Sequence, residues 1–107
     1  MEKISIKPGA FLYPMPTTMV AANINGKPNC MTIAFCSMVQ IGPPMIAAAC
    51  NRSHYTNTGI KENRTFSVNI PSEEMVKITD YVGLNSGKSV DKSKLFKYFG
   101  STLLSGK

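Results

Sequence analysis

The sequence lacks the motifs of several common enzyme classes. It contains no tryptophan, a single histidine (His54), and six acidic residues against twelve basic ones. No glycine-rich dinucleotide or P-loop motif occurs, and no spacing pairs two carboxylates for hydrolysis. No nucleophile, base and acid set is visible either, so the sequence predicts neither catalytic side chains nor a Rossmann or P-loop nucleotide site.

Cysteine and leader signals are also scarce. Cys30, Cys36 and Cys50 form an odd set with no CxxC pair, which favours free, buried thiols over disulfides or a zinc site. The N-terminus has no apolar leader core, and Gly42-Pro43-Pro44 interrupts the long uncharged run. We therefore expect a soluble cytoplasmic protein with no metal and no membrane segment.

The charge that is present is mostly positive. A net charge of +6 favours anionic partners such as phosphate-bearing cofactors, nucleic acid or acidic membranes. The basic residues are dispersed apart from Lys88, Lys92, Lys94 and Lys97, so nucleic-acid binding is the less favoured interpretation. A chain of 107 residues predicts one domain, residues 1–107.

Turn and β-propensity signals predict a mainly β fold. Asn25-Gly26 favours a tight hairpin turn between a strand over residues 17–24 and a longer strand that reaches Ile41. A short buried strand is expected over residues 45–50 and another over residues 65–70. Four strands cannot close a normal barrel, so we expect an open edge that a partner subunit would cover.

Short helices complete the predicted fold. One runs over residues 53–62, and another begins at Ser72 as N-cap and ends before Gly83 as a C′ residue. Its core-facing positions recur at helical spacing: Met75, Ile78, Thr79 and Val82. A last helix is expected over residues 93–99, with Leu95, Phe96 and Phe99 on one face.

Side-chain alternation in the long strand separates two faces. The bulky face carries Met31, Ile33, Phe35, Val39 and Ile41, with Ser37 as its polar member. The other face carries Cys30, Thr32, Ala34, Cys36, Met38 and Gln40. Small residues suit a flat ligand, but they also occur where sheets or subunits pack closely, and alternation alone does not decide between the two.

The segment over residues 51–56 (NRSHYT) favours the ligand interpretation. It places a cation, an imidazole and several hydrogen-bonding side chains at a predicted helix start, where unpaired N–H groups and the helix dipole attract anions. A small-faced sheet next to an anion site suits a protein that holds a cofactor.

These segments together resemble the flavin reductase-like family, which has the FMN-binding split β-barrel fold. The resemblance runs from YPMPTTMVAANINGKPNCMTIAFCSMVQIGPPMIAAACNRSHYT through DYVGLNSGKSVDK, residues 13–92. It implies a homodimer that binds FMN without a covalent bond, near the subunit interface.

The resemblance also implies roles for individual residues. The flavin ring and ribityl chain would lie along Asn29, Thr32, Ala34, Ser37 and Met38. The phosphate would be held by Arg52, Ser53, Tyr55 and Thr56, with Lys88, Asp91 and Lys92 closing over it.

The sequence departs from the family pattern in three places. His54 stands where arginine is frequent, and Ser93 stands where an aromatic residue usually follows the Asp91-Lys92 pair. Family members also continue with further strands, so we expect either a shortened form lacking the usual C-terminal part or a barrel completed by the partner chain.

The implied activity is redox chemistry with bound FMN. The first hypothesis is an NAD(P)H-dependent flavin reductase that passes hydride or electrons to a small-molecule acceptor. The alternative is an electron carrier without enzymatic activity, which would use the same residues. A third, less favoured hypothesis is a basic module that binds nucleic acid and has lost the cofactor.

Overall fold

The computed structural model describes the backbone of residues 1–99 and the side chains of residues 1–95. The strands are β1 (Thr18–Ile24), β2 (Lys27–Ile33), β3 (Cys36–Gln40), β4 (Met45–Ala48) and β5 (Ser67–Asn69). The helices are α1 (Thr56–Asn63) and α2 (Val76–Leu84), with 3₁₀ helices at Glu73–Met75 and Lys92–Phe99. The predicted class, mainly β with short helices, is confirmed.

The strands form two separate antiparallel sheets. β1 lies between β2 and β5, whereas β3 and β4 pair only with each other within the described residues. The turn between β1 and β2 has positive φ at both central residues, 51° at Asn25 and 76° at Gly26, as the sequence predicts. Neither sheet closes, which agrees with the predicted open edge.

Both faces of the three-stranded sheet are covered. On one face Met19, Ala21 and Cys30 pack with Val82 of α2, and Leu95 is packed against this cluster. On the opposite face the buried side chains of Val20, Met31 and Ile33 form a second cluster. Partly buried residues pack against this cluster: Cys36, Ala48, Cys50, Ile60 and Val68. β1 is therefore the centre of the core, with α2 on one side and α1 on the other.

The predicted single long strand is wrong, because the chain breaks at residues 34–35. β2 ends at Ile33, the Cys36 amide donates to the Ala34 carbonyl at 3.0 Å, and β3 then pairs with β4 in the other sheet. A bond across so few residues forms a tight turn that redirects the chain. The two faces predicted from alternation consequently do not run through the whole segment.

The β3–β4 hairpin is mostly exposed, contrary to the predicted buried strand over residues 45–50. On the bulky face, Phe35, Val39 and Ile41 are 55%, 60% and 92% exposed, and Met45 and Ile46 of β4 are about half exposed. On the small face, Cys30 is completely buried against α2. Residue type identified apolar positions here, but the sheet in which each strand lies decides whether they are covered.

The α-helices α1 and α2 begin later than predicted. Residues 51–55 form turns and α1 starts at Thr56, so Ser53 is not its N-cap. A 3₁₀ turn follows Ser72, whose side chain makes no capping bond, and Gly83 lies inside α2 instead of beyond its end. The predicted core face of α2 is confirmed, since Thr79 and Val82 are buried and Met75 and Ile78 pack against the first cluster.

The last predicted helix is a 3₁₀ helix that begins at Lys92, and the side chains of Phe96 and Phe99 lie outside the described ones. Among residues 1–99, no helix is both long enough and apolar enough to cross a membrane.

Candidate functional site

The Lys92 ammonium joins β2, α2 and the loop that follows α2. Its Nζ donates to the Cys30 carbonyl at 2.8 Å and to the Val82 carbonyl at 2.9 Å, and the residue is only 4% exposed. Val82 is in the last turn of α2, where carbonyl groups lack helical partners and the helix dipole favours a cation. The lysine thus fixes both ends of the loop over residues 85–91.

No carboxylate neutralises this buried cation among the residues described. The one described salt bridge joins Lys27 to Asp91 at 3.9 Å, and the other Asp91 oxygen accepts bonds from the Ser93 hydroxyl and amide. The hydrogen bond from the Ser93 hydroxyl, followed by the one from the Ser93 amide, lowers the pKa of Asp91. Burial lowers the pKa of Lys92, because the charged form is desolvated without an anion beside it.

Cys30 responds to the same burial in the opposite direction. Its pKa rises from 9.0 to about 12 through desolvation, which the nearby Lys92 charge partly offsets. The thiol therefore stays protonated and serves as a packed core group.

Opposite the lysine, Asn51 organises the turn before α1. Its Oδ1 accepts bonds from the Ser53 amide and hydroxyl, both at 3.0 Å, and its carbonyl accepts from the His54 amide. An Asx turn of this kind lets a short polar side chain fix the backbone without a helix. Ser53 is thereby held near the helix start although it does not cap it.

Two side-chain bonds attach β2 to its neighbours. Asn29 Nδ2 donates to Thr56 Oγ1 at 2.8 Å, and both residues are buried. Thr32 Oγ1 donates to the Thr79 carbonyl at 2.7 Å. β2, which carries these two predicted site residues, is therefore fixed to the start of α1 and to the middle of α2.

Two adjoining cavities lie between these elements. The Ser53 cavity, about 290 Å³, is lined among others by Asn29, Thr32, Ser53, His54, Tyr55, Thr56, Gly87 and Lys92. The Lys88 cavity, about 420 Å³, is lined among others by Lys27, Asn29, Tyr55, Gly87, Lys88, Asp91 and Lys92. Because they share four lining residues, the two cavities form neighbouring parts of one depression.

Gly87 controls how closely the loop approaches β2. A Cβ added at this position would overlap the Asn29 amide, and it would lie only 2.6 Å from the Tyr55 ring. Any larger residue would therefore push the loop away from both cavities.

The structure brings together eight of the predicted site residues and separates four. The eight line one or both cavities: Asn29, Thr32, Ser53, Tyr55, Thr56, Lys88, Asp91 and Lys92. Arg52 is exposed and lines neither cavity. Ala34 and Ser37 instead line an apolar cavity of about 500 Å³ between the N-terminal segment and the hairpin, while Met38 is exposed on β3.

Gly87 and Ser86 are lining residues that sequence reasoning missed. The Asn85-Ser86-Gly87 run is a turn signal, but only the tertiary approach to Asn29 reveals why glycine is needed.

Comparison with known proteins identifies the family. The profile of the flavin reductase like domain matches residues 10–102 of this chain. An uncharacterized protein of Archaeoglobus fulgidus is 32% identical over 82 residues, which cover 77% of this chain and 46% of that protein. The chain belongs to the flavin reductase-like family.

Solved structures agree with this assignment. Flavoredoxin from Methanosarcina acetivorans is 50% identical with a TM-score of 0.87, over 98% of this chain and 56% of that one. Flavoredoxin of Desulfovibrio vulgaris (Miyazaki F) is 32% identical with a TM-score of 0.81, over 94% and 54%. An FMN-binding protein from Thermus thermophilus shares the fold at 19% identity, with a TM-score of 0.76 over 88% and 54%.

The chain spans about half the length of these relatives. The close likeness to flavoredoxins confirms the predicted family and fold.

The buried thiol yields a pH prediction. Because the Cys30 pKa is raised on folding, only the unfolded chain loses this proton between pH 9.0 and about 12, so stability falls as pH rises through that window. The Cys30→Ala variant lacks this loss. Its deficit in free energy of unfolding relative to wild type should shrink by up to about 1.4 kcal/mol per pH unit above pH 9.

Urea denaturation of both proteins at a series of pH values measures this deficit. A deficit that stays constant from neutral to alkaline pH would show that the folded protein does not hold the Cys30 proton.

Proposed function

We propose that this chain binds FMN in the depression formed by the Ser53 and Lys88 cavities and that it is a redox protein. The observation that carries the proposal is the buried Lys92 ammonium, which has no carboxylate partner among the described residues and lines both cavities. A buried charge without a counterion is costly, and a dianionic phosphate would supply the missing partner.

The start of α1 adds donors to the same place. Within the described residues, the backbone amides of Tyr55 and Thr56 make no hydrogen bond, and Ser53 and Thr56 are among the residues that line the cavity. Unpaired amides at a helix start suit an anion. The group implied by the family therefore fits these residues: a phosphate between the helix start and the lysine, with Lys88 on the outer side.

Lys92 keeps one N–H after its two carbonyl bonds, and this proton is the one available to a phosphate oxygen. Asp91 is occupied by hydrogen bonds from Ser93 and by its ion pair with Lys27. We therefore assign Asp91 to holding the loop and the lysine to holding the anion.

We assign the ring end of FMN to the part of the Ser53 cavity that is lined by Asn29 and Thr32. Ala34, Ser37 and Met38 lie further along the chain, after it has left the three-stranded sheet at the end of β2. They are proposed to reach the ring from the hairpin. When bound, FMN supplies hydride and one-electron transfer. The chain's own groups bind the cofactor, orient it and shield it from water.

Two activities are compatible with such a site. The family assignment supports an NAD(P)H-dependent flavin reductase acting on a small-molecule acceptor, which is our first proposal. The flavoredoxin neighbours support an electron carrier without enzymatic activity as the second. The free thiols Cys30, Cys36 and Cys50 support a reducing, cytoplasmic location.

Phosphate recognition gives the first test. Lys92→Met should weaken FMN binding by about tenfold to a hundredfold, the value of a charge-assisted hydrogen bond, but should leave riboflavin binding nearly unchanged because riboflavin has no phosphate. Quenching of flavin fluorescence measures both affinities.

The matched control is Lys94→Met, which removes an exposed lysine that lines neither cavity. Equal weakening of FMN and riboflavin by Lys92→Met would mean that the lysine acts only on the fold. If the wild type does not bind FMN, the proposed function itself is wrong.

Nicotinamide reactivity separates the two activities. We expect NADH or NADPH to bleach the visible absorption of the FMN-loaded protein in anaerobic stopped-flow mixing, since a reductase must take its reducing equivalents from one of them. If neither nucleotide bleaches the flavin while dithionite does, the reductase proposal fails and the carrier is retained.

We further propose a homodimer in which a second copy covers the β3–β4 hairpin. A two-stranded hairpin is marginally stable by itself, and this one exposes several large apolar side chains: Phe35, Met38, Val39, Ile41, Met45 and Ile46. An uncharged surface of this kind, on a chain of net charge +6, avoids the repulsion that would oppose self-association elsewhere.

Sedimentation velocity checks the dimer. The wild type should sediment with twice the chain mass, and Val39→Lys should shift it to the monomer because it places a charge in the covered surface. Ile70→Lys is the control, since Ile70 is an exposed apolar residue outside the hairpin. A monomeric wild type, or a dimer that tolerates Val39→Lys but not Ile70→Lys, would contradict this interface.

A further inference from the structure

Cys36 and Cys50 lie on the same side of the β3–β4 hairpin. Cys36 is paired with Ala48, and the pairing extends one step beyond β4 because the Ala49 amide donates to the Phe35 carbonyl at 2.8 Å. Ala48 faces the side that Cys36 faces, and Cys50, two residues further on, packs against the same core cluster as Cys36. The two thiols are therefore diagonal neighbours across the hairpin.

Packing brings the two side chains into the same environment. Both are half-buried, and both pack against the cluster of Val20, Met31 and Ile33. Cys50 Sγ contacts the Ala48 carbonyl at 3.6 Å, so its sulfur is turned back toward the residue that faces Cys36. Burial raises the pKa of Cys50, and the neighbouring Cys36 thiolate raises it further, which agrees with this proximity.

The backbone at Cys50 leaves room for closure. Diagonal neighbours are about 7–8 Å apart, slightly beyond the usual Cα separation of about 4.4–6.8 Å in disulfides. Cys50 lies outside β4, in residues without regular secondary structure, so a small displacement there does not break the strand pairing.

We propose that Cys36 and Cys50 form a reactive dithiol site that takes small-molecule disulfides and closes to an intramolecular disulfide. The thiolate of one cysteine attacks the disulfide, forms a mixed disulfide and releases one small thiol. The second cysteine, as its thiolate, then attacks the protein sulfur of that mixed disulfide and releases the second small thiol. Two protein thiols are oxidised and one small disulfide is reduced to two thiols, so electrons and protons balance.

The location gives this chemistry a structural consequence. Cys50 directly precedes Asn51, whose side chain fixes the turn carrying Ser53, and Cys36 begins the hairpin strand. The disulfide would join the hairpin covalently to the segment that leads into α1. This inference does not depend on flavin binding.

The test uses the reduced wild-type chain and oxidised glutathione as the probe. After incubation, N-ethylmaleimide blocks the remaining thiols and intact mass spectrometry with peptide mapping locates the products. We expect the mass of a single chain, without an interchain disulfide, that has lost two hydrogen atoms. Peptide mapping should give a Cys36–Cys50 cross-linked peptide. Cys30, which is fully buried, should be alkylated only after denaturation.

Variants supply matched controls. Cys36→Ser and Cys50→Ser should each retain glutathione on the remaining thiol of the pair, whereas Cys30→Ser should close like the wild type. The proposal is overturned if the wild type retains glutathione on either cysteine, if the cross-link joins two chains, or if both thiols stay reduced while glutathione disulfide oxidises a control dithiol peptide.

Discussion

The arrangement of this protein depends on one buried cation held by two backbone carbonyls. Lys92 joins the Cys30 carbonyl of β2 to the Val82 carbonyl in the last turn of α2, and so fixes the helix end against the sheet. The intervening loop is then drawn over Asn29, where Gly87 permits close contact. Removing water from an ammonium group is expensive, which is why we propose that an anion shares the site. In that proposal the same side chain both stabilises the fold and binds the anion.

The molecule divides into a closed part and an open part. β1, β2 and β5 are covered on both faces by α1 and α2, whereas the β3–β4 hairpin presents large apolar side chains to solvent. The predicted phosphate residues other than Arg52 line the cavities of the closed part, and Ala34, Ser37 and Met38 belong to the open part. This division agrees with our proposals that the isolated chain holds the phosphate end of the cofactor and that the surface toward the ring is completed by a second copy.

Local signals predicted the parts of the fold that depend on few residues. The Asn25-Gly26 turn follows from the tolerance of both residues for positive φ, and the core face of α2 follows from helical spacing. The course of the chain after Ile33 was not predictable in this way, because every residue from Cys30 to Ile41 is compatible with a strand. The break at residues 34–35 follows from a choice of partner, since β2 pairs with β1 whereas β3 pairs with β4 in the other sheet. Burial was misassigned for the same reason, as Val39 and Ile41 are apolar yet uncovered.

By itself, the sequence determined the family, the β-hairpin, an anion-suited segment over residues 51–56, and, through the family resemblance, the cofactor residues Asn29, Thr32, Lys88, Asp91 and Lys92. The tertiary structure decided which of them meet. It placed Lys92 on backbone carbonyls, turned Asp91 toward Ser93, left Arg52 outside the two cavities, and brought Gly87 against Asn29. The physical reason is that residue type fixes the chemistry a side chain offers, whereas desolvation and hydrogen-bond partners depend on segments distant in sequence, and only folding brings these together.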